Sequence, residues 1–266
     1  MNQPVSQPWG GLGKQEIEKL SPRSKEEFFK QSTGAQFVKR GLRVGAWGAT
    51  ETGKTYFAMT FPEPVFIIDT EFGAAPLLHM FPNKDIRIFE CAQLDSITSE
   101  PDPLKSLTEV EAALSSLKDI DHGTLVIDSG TDIWQWISAW LETVATKRSE
   151  SGQPYRFEWG KANSRYRMLL MRILARPQIN FVITAQTQEK YDNSGKPTGI
   201  TEPRWQDKTE YWMDIIVHFQ KLYRGSWKYI STIEKCRFKR AANLEIEDVS
   251  YDKLVNALKE KLGVQI

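Results

Sequence analysis

The sequence has little material for a disulfide framework, a zinc site or a membrane span. Its 266 residues include 2 cysteines, Cys91 and Cys236, and 3 histidines, which are too few for a disulfide scaffold or a cysteine–histidine metal cluster. The longest apolar runs, such as residues 65–68, are far shorter than the ~18 residues of a transmembrane helix. Residues 1–20 contain Pro, Gly and Gln where a secretion signal has an apolar segment. We therefore expect a soluble, cytoplasmic protein with no membrane partner.

The chain also lacks an excess of either charge. Its 35 Lys and Arg residues against 34 Asp and Glu residues give a net charge of +1, so the total charge indicates no particular partner. The hydrophobic content of 40% supplies a core for a chain of this length and excludes disorder throughout. The positive charge is unevenly distributed, because residues 146–176 and 219–240 are each rich in Lys and Arg and contain few acids.

Apolar runs of strand length alternate with helical patterns from residue 42 onward. The predicted strands are residues 42–47, 65–69, 86–89, 125–128 and 179–185. One apolar helix face extends from Ile133 to Val144, and a second extends from Tyr166 to Leu174. Alternating strands and helices predict an α/β fold with a mostly parallel, twisted sheet that helices cover on both faces.

Two regions differ from this alternation. Residues 1–38 predict a flexible N-terminal arm with a short helix at residues 24–31, whereas residues 39–266 predict one α/β domain. Residues 187–206 are polar and rich in turn formers, which predicts a long mobile loop.

The C-terminal part of the domain has strand and helix signals of its own. Residues 215–222 and 227–235 predict a β-hairpin that turns at residues 224–226. Ser250 predicts the start of a last helix, whose apolar face includes Leu254.

Residues 48–55 fit the pattern G-x-x-x-x-G-K-[ST] of a phosphate-binding loop. Backbone N–H groups of such a loop wrap phosphate oxygens, and here a predicted strand precedes the loop and a helical pattern follows it. Lys54 would reach the β- and γ-phosphates, and the Thr55 hydroxyl would bind Mg²⁺. A glycine-rich turn with an incidental lysine is the alternative, which the flanking strand and helix disfavour. The predicted ATP-binding residues are Gly48, Ala49, Thr50, Glu51, Thr52, Gly53, Lys54, Thr55 and Tyr56.

Two predicted strands end in acidic residues. Residues 125–128 end in Asp128, a carboxylate that can complete the oxygen ligands of the metal. The next residue is Ser129, so a base that activates water must come from elsewhere. Residues 65–69 lead into Glu71, and parallel strands bring their C-terminal ends to one edge of a sheet. Glu71 is therefore the predicted general base for attack on the γ-phosphate, with a solvated strand-end carboxylate as the alternative.

Together these motifs resemble those of the RecA-type ATPases over roughly residues 40–240. The resemblance rests on the phosphate loop, on the strand ends at Glu71 and Asp128, and on the apolar strand that ends in Gln186. It implies a RecA-like P-loop core for residues 39–266, and it implies that Gln186 senses the γ-phosphate. Within the family, the single domain and the C-terminal hairpin are most similar to the phage-encoded RecA/Rad-like ATPases of the Sak annealing type.

Lys235 and Arg237 extend the resemblance to hexameric replicative helicases, which carry a Lys-x-Arg motif at the end of the corresponding strand. Alternate residues of a strand project to one face, so the two cations can act together. The resemblance implies that they reach the γ-phosphate of a neighbouring subunit, as an arginine finger does, and that copies assemble into a ring or a filament. Two solvated cations on an edge strand are the alternative.

The first basic segment places aromatic residues between cations, with Tyr155 and Phe157 on either side of Arg156. This pattern is typical of proteins that bind single strands, because bases stack on aromatic rings while cations bind the phosphates. A solvated helix face is the alternative. The predicted nucleic-acid contacts are Arg156, Lys161, Arg165, Lys190 and Lys196, which by resemblance lie in two DNA-binding loops.

Together with this resemblance, these residues predict a DNA-stimulated ATPase that uses ATP and Mg²⁺, and the resemblance implies that it assembles on single-stranded DNA for recombination or annealing, with hydrolysis at subunit interfaces. A single-strand-binding protein is a candidate partner, and a phage-encoded chain would act in the host cytoplasm. One alternative is a ring helicase or DNA-packaging motor, and another is a nucleotide switch or loader that does not bind DNA. The predicted catalytic residues are Lys54, Glu71, Asp128, Gln186, Lys235 and Arg237, and the predicted metal ligands are Thr55 and Asp128.

Overall fold

The computed structural model describes residues 40–146, 154–192, 194–238 and 243–262. The chain divides into two units after Val38. The predicted arm at residues 1–38, with its helix at residues 24–31, lies outside the described residues, and the elements below belong to the second unit. Among the described residues, no helix combines the length and the apolar character that a membrane span requires.

A mostly parallel sheet forms the centre of the described domain. The described strands are β1 (Arg43–Gly48), β2 (Val65–Asp69), β3 (Ile86–Glu90), β4 (Thr124–Asp128), β5 (Asn180–Ala185), β6 (Thr187–Tyr191), β7 (Pro197–Pro203), β8 (Ile215–Tyr223), β9 (Trp227–Cys236) and β10 (Leu244–Glu247). Eight of them form one sheet in the order β10-β9-β8-β1-β5-β4-β2-β3. The strands from β8 to β3 in this order run parallel, and β9 and β10 run antiparallel to their neighbours. The predicted α/β fold class with a C-terminal hairpin is therefore confirmed.

Helices cover both faces of this sheet. Those described are α1 (Lys54–Met59), α2 (Pro103–Ser116), α3 (Gly130–Thr146), α4 (Trp159–Leu174), α5 (Thr209–Trp212) and α6 (Tyr251–Leu262), with two 3₁₀ turns at Ala75–Met80 and Arg156–Glu158. One buried cluster joins α2, α3 and α4 to the sheet around Ile137 and Tyr166. A second cluster joins α1 and α6 to the sheet around Phe57 and Leu254. Successive residues of β4 alternate between the two clusters, so the clusters lie on opposite faces of the sheet.

The strands predicted from apolar runs agree with the described strands to within about one residue at each end. Their agreement follows from burial, because a parallel sheet covered on both faces selects nearly continuous apolar runs. Every residue of β4 is buried, for example. The predicted C-terminal hairpin is present as β8 and β9, and the Ser250 hydroxyl accepts from the backbone N–H of Lys253 at the start of α6.

The predicted mobile loop at residues 187–206 is wrong. Strands β6 and β7 pair antiparallel, with Thr187 opposite Pro203, and the Asp192 carboxylate closes the turn by accepting from the backbone N–H of Lys196 at 2.9 Å. This hairpin is a separate two-stranded sheet, and most of its residues are exposed. Because neither of its faces is buried, it lacks the alternation of apolar and polar residues that predicts a strand.

Helix α2 has no counterpart among the predicted elements. The Asp102 carboxylate caps it by accepting from the N–H groups of Leu104 and Lys105 at 3.1 and 3.0 Å, and Pro103 occupies its first turn. An Asp-Pro start followed by apolar residues at helical spacing is a helix signal that the sequence contains. The apolar residues of its buried face are Leu107, Val110 and Leu114.

Candidate functional site

The predicted phosphate loop lies between the C-terminal end of β1 and the start of α1. Lys54 begins the helix, and its Nζ donates to the carbonyl oxygens of Gly48 at 3.0 Å and Ala49 at 2.8 Å. The ammonium group therefore lies against the first residues of the loop. Burial lowers the pKa of Lys54, and the nearby carboxylates of Asp128 and Glu71 partly oppose this shift.

Two glycines give the loop its shape. A Cβ at Gly48 would come within 2.3 Å of the Phe219 carbonyl oxygen on β8, so a side chain at this position would separate the loop from β8. Gly53 has a φ of 96°, a left-handed conformation that favours glycine. Between them, the buried Thr52 hydroxyl donates to the carbonyl oxygen of Ala49 at 2.8 Å. These constraints hold the backbone N–H groups in the tight curve that phosphate binding needs.

The end of β4 brings Asp128 to this loop. Thr55 Oγ1 donates to Asp128 Oδ2 at 2.7 Å, and Thr184 Oγ1 on β5 donates to Asp128 Oδ1. The Asp128 carboxyl is buried, and this burial raises its pKa to about 6, although the two hydroxyls oppose the shift. The structure thus brings together the two residues that the sequence predicts as metal ligands.

The pair formed by Thr55 and Asp128 fits Mg²⁺. In nucleotide sites this ion takes one or two protein oxygens and completes its octahedron with phosphate oxygens and water. A hydroxyl and a carboxylate 2.7 Å apart supply two such oxygens. The described residues contain no group of three or more His, Cys, Asp or Glu side chains that could hold a metal by themselves.

Glu71 and Gln186 meet at the same edge of the sheet. Gln186 Nε2 donates to Glu71 Oε1 at 2.9 Å, while the Gln186 backbone N–H donates to Thr131 Oγ1 at 2.9 Å. The buried Asp69 carboxylate holds the turn after β2, because it accepts from the N–H groups of Glu71 at 3.0 Å and Ala74 at 2.8 Å. Glu71 itself is exposed, so water reaches its carboxylate.

Asp132 supports these strand ends and is missing from the predicted set, as is Thr184. Thr70 Oγ1 donates to Asp132 Oδ2 at 2.6 Å and accepts from the Ser129 backbone N–H at 2.7 Å. Burial raises the pKa of the Asp132 carboxyl. The sequence does contain a signal for Asp132, namely its position in the first turn of the helix that directly follows β4. Residues at such a position lie beside the end of the strand.

The predicted trans-acting cations lie at the edge of the sheet opposite to the phosphate loop. Strand β9 is antiparallel to β8, so its last residue, Cys236, pairs with Ile215 at the start of β8. The loop end of β1 instead pairs Gly48 with Phe219, further along β8. Lys235, Cys236 and Arg237 therefore lie by the N-terminal ends of the parallel strands, whereas the phosphate loop lies at the C-terminal end of β1.

Within one chain, both cations bind the residues that precede β8. Lys235 Nζ donates to the Glu210 carbonyl oxygen, and an Arg237 guanidinium N–H donates to the Tyr211 carbonyl oxygen. Arg237 Nη1 also lies 3.3 Å from Asp214 Oδ1. Since Asp214 is fully buried, Arg237 helps to neutralise a buried carboxylate of its own chain.

The first predicted nucleic-acid segment presents an exposed aromatic pair. Arg156 lies in the 3₁₀ turn between Tyr155 and Phe157, whose rings stack with centroids 5.6 Å apart and an interplanar angle of 6°. All three side chains are exposed. Lys161 is also exposed, with Nζ 3.6 Å from Glu158 Oε1.

Arg165 differs from the other predicted nucleic-acid residues. Its side chain is only 16% exposed and forms an ion pair with Glu111 of α2, with an N–O distance of 3.1 Å. Its guanidinium also lies 4.7 Å from the centre of the Trp140 ring. These contacts join α4 to α2 and α3, so most of the Arg165 side chain packs within the domain, unlike those of Arg156 and Lys161.

The second predicted segment is the β6–β7 hairpin. Tyr191 is 60% exposed, and Lys190 Nζ lies 3.8 Å from Glu202 Oε2 on the opposite strand. Lys196 is exposed near the turn. The backbone N–H of Arg204 donates to the Gln186 carbonyl oxygen at 2.8 Å, so the hairpin starts and ends beside Gln186.

The basic excess at residues 219–240 is offset within the chain. Lys221, Arg224 and Lys228 each lie close to a carboxylate, so the described cations of this segment are not a free electrostatic surface. The nitrogen–oxygen distances are 3.7 Å for Lys221–Glu51, 3.6 Å for Arg224–Glu245 and 2.6 Å for Lys228–Glu247.

Comparison with known proteins adds a family match. A family model described as an AAA domain matches residues 40–237. Among solved structures, the chain is similar to a KaiC-like protein from the hyperthermophilic archaeon Pyrococcus horikoshii, with 19% identity over 78% of this chain and 85% of that chain and a TM-score of 0.42. It is also similar to the RadB recombinase, with 17% identity over 79% of this chain and 87% of that chain and a TM-score of 0.46. No curated protein sequence matches the chain.

Proposed function

The chain belongs to the AAA domain family and is an ATP hydrolase of the P-loop class, and we propose that single-stranded DNA stimulates its hydrolysis and that copies of it assemble on that DNA. Recombination or annealing of DNA is the process that such an activity serves. The narrower similarity to the phage-encoded Sak-type ATPases is part of the same proposal.

The residues at the sheet edge divide the chemistry between them. Lys54 binds the β- and γ-phosphates from the phosphate loop. Glu71 accepts the proton of the attacking water, and its exposed carboxylate is oriented by the hydrogen bond from Gln186. Thr55 and Asp128 would hold Mg²⁺, which when bound neutralises charge on the phosphate oxygens.

The contact that carries the DNA proposal is the hydrogen bond between Gln186 and Glu71. Gln186 directly precedes the β6–β7 hairpin, whose exposed surface includes Lys190, Tyr191 and Lys196. A strand of DNA on the hairpin would bind its phosphates through the lysines and stack a base on the tyrosine. Any shift of the hairpin base then moves the amide that orients the catalytic carboxylate.

The opposite placement of the phosphate loop and the cations supports assembly. Lys235 and Arg237 lie at the far edge of the sheet from the loop of their own chain. If they contact a γ-phosphate, it is that of a neighbouring copy. An active site completed in this way hydrolyses ATP poorly in a monomer.

The test compares ATP hydrolysis with and without a single-stranded oligonucleotide, together with the fluorescence anisotropy of the labelled oligonucleotide across a salt series. The variant Lys190→Ala/Tyr191→Ala/Lys196→Ala removes the hairpin contacts. The matched control Lys118→Ala/Lys259→Ala removes the same charge from exposed positions elsewhere. We expect the hairpin variant to lose stimulation of hydrolysis by DNA. The salt dependence of its DNA-binding constant should fall by the equivalent of about two phosphate contacts. The control variant should keep the wild-type stimulation and the wild-type salt dependence.

Other outcomes would replace this proposal. Hydrolysis with no oligonucleotide binding at low salt would identify a nucleotide switch or loader. ATP-driven displacement of a paired strand would identify a helicase or motor. Electron micrographs with a non-hydrolysable ATP analogue and single-stranded DNA should show assemblies that are absent without DNA.

A further inference from the structure

The tip of the C-terminal hairpin carries a set of aromatic side chains that neither the fold nor the proposed DNA contacts account for. Tyr223 is 68% exposed, Trp227 is 61% exposed and Tyr229 is 40% exposed. Together with Lys221 we call them the hairpin wall. Most of the other tryptophans in the described residues are buried or half-buried, so such exposure of Trp227 requires an explanation.

The four side chains lie on one face of the hairpin. Lys221 pairs with Tyr229 across the strands, and Tyr223 pairs with Trp227. Lys221 Nζ lies 5.5 Å from the centre of the Trp227 ring and 5.7 Å from that of Tyr229, and the rings of Tyr223 and Trp227 are 5.6 Å apart. A cation shared between rings holds them in place, so the wall is an ordered surface with open aromatic faces.

This face is the one that packs against the helix of the phosphate loop. Phe219 precedes Lys221 by two residues on β8, and its ring contacts Phe57 of α1 with centroids 5.2 Å apart. Phe219 is also opposite Gly48, the first residue of the loop. Because alternate residues of a strand share a face, the wall continues that face beyond the end of β1. Lys221 Nζ lies 3.7 Å from Glu51 Oε2 within the loop itself.

The direction of a bound nucleotide follows from the positions of the site residues. The γ-phosphate end is marked by Asp128, Glu71 and Gln186, which end β4, follow β2 and follow β5. In the sheet these strands all lie on one side of β1, whereas β8 and β9 lie on the other. A triphosphate held by the loop with its γ-phosphate toward β4 therefore directs its nucleoside toward β8 and β9.

We propose that the hairpin wall binds the base of the nucleotide held by the phosphate loop, with Trp227 as the main stacking surface. The proposal rests on the ATP hydrolase assignment and is independent of DNA binding. A flat purine ring is the ligand that suits an exposed indole backed by a lysine, because it stacks on the ring and is attracted by the cation.

The experiment measures the affinities of the full chain for ATP and for inorganic tripolyphosphate by calorimetry, in Mg²⁺ and on the hydrolysis-deficient Glu71→Gln background. Tripolyphosphate has the same phosphate chain but no base. We expect the chain with an intact wall to bind ATP more tightly than tripolyphosphate. Trp227→Ala should weaken ATP binding about tenfold while leaving tripolyphosphate binding unchanged. Trp227→Phe should retain most of the preference. The matched control Tyr211→Ala removes an aromatic ring that is 72% exposed, from α5, and should change neither affinity.

Three results would overturn the proposal. Equal loss of both ligands in Trp227→Ala would show that Trp227 supports the phosphate loop and does not bind the base. An unchanged preference for ATP in Trp227→Ala would show that the base lies elsewhere, and loss of that preference in Tyr56→Ala alone would locate the base at the Tyr56–Phe81 ring pair. Failure of the wild-type chain to bind either ligand would instead refute the ATP hydrolase assignment on which the proposal rests.

Discussion

Gln186 Nε2 donates a hydrogen bond to Glu71 Oε1 at 2.9 Å, across the ends of two strands that are not neighbours in the sheet. Strand β4 lies between β5 and β2 and ends in Asp128. The hydrogen bond therefore links the ends of β5 and β2 across the end of β4. Glu71 lies in the turn held by Asp69, and Gln186 directly precedes the exposed β6–β7 hairpin.

Replacing Glu71 with glutamine should preserve ATP binding and lower turnover by at least about 100-fold, because the amide cannot accept the proton of water. The measurement is steady-state ATP hydrolysis alongside equilibrium binding of ATP. The control is Glu90→Gln, which changes the exposed carboxylate at the end of the adjacent strand β3 and should hydrolyse normally. Residual turnover close to wild type would remove Glu71 from the role of base.

Replacing Gln186 with methionine should separate basal hydrolysis from DNA stimulation. The variant keeps the volume of the side chain and loses the amide, so basal turnover should fall only about fivefold, as expected for one hydrogen bond. Stimulation by single-stranded DNA should disappear. Gln188→Met is the control, since Gln188 pairs with Glu202 inside the hairpin. Full stimulation of Gln186→Met would show that the signal takes another route.

Replacing Asp128 with asparagine should stabilise the nucleotide-free protein and abolish Mg²⁺-dependent hydrolysis. Burial raises the pKa of this carboxyl from 3.8 to about 6, so the folded chain keeps a proton that the unfolded chain releases between these pH values. The free energy of unfolding therefore falls as pH rises through this window, and at pH 7 the variant should be more stable by about 1–3 kcal/mol. Urea unfolding in EDTA at pH 4 and pH 7 measures the difference. Equal stabilisation at both pH values would contradict this origin.

Lys235→Ala should lower hydrolysis in assembled protein and regain activity when mixed with Lys54→Ala. In mixed assemblies some interfaces combine an intact phosphate loop from one copy with intact cations from another. The measurement is activity across a series of mixing ratios. Absence of rescue at every ratio would mean that Lys235 has no role in a neighbouring site.

Arg237→Ala is predicted to lose stability as well as activity. Its guanidinium lies 3.3 Å from a carboxylate oxygen of the fully buried Asp214, and Arg40 also pairs with this carboxylate. Because Arg40 remains, we expect a loss of about 1–2 kcal/mol, below the usual cost of breaking a buried ion pair. Thermal melting of Arg237→Ala and Arg237→Lys measures this loss, and an unchanged melting temperature would exclude the structural role.

The two cysteines should differ sharply in alkylation. Cys91 is fully buried, and burial raises the pKa of its thiol to about 12, whereas Cys236 is half-buried. At pH 8 the thiolate is the reactive form, so iodoacetamide should label Cys236 and leave Cys91 unmodified until the chain unfolds. Mass spectrometry of peptides from the labelled protein measures both sites, and labelling of native Cys91 would contradict its burial.

The strand ends of the site could be predicted because their signals are local. The phosphate loop is a motif of eight consecutive residues, and Asp128 and Glu71 follow apolar runs whose burial on both faces defines them as parallel strands. Glycine at residue 48 is required by a contact with Phe219, which is distant in sequence, yet the motif already specifies it.

The features that could not be predicted depend on partners distant in sequence. Nothing near Arg165 in the sequence indicates its ion pair with Glu111 or its position over Trp140. The binding of Lys235 and Arg237 to the carbonyl groups before β8 depends likewise on the antiparallel return of β9. The β6–β7 hairpin escaped prediction for a different reason, since a hairpin with both faces exposed has no hydrophobic periodicity.

The antiparallel direction of β9 constrains how copies can join. A contact between the phosphate-loop edge of one copy and the Lys235–Arg237 edge of the next is heterologous, because it unites two different surfaces. Copies joined in this way all point in one direction, so they close into a cyclic ring or continue as a helix with distinguishable ends.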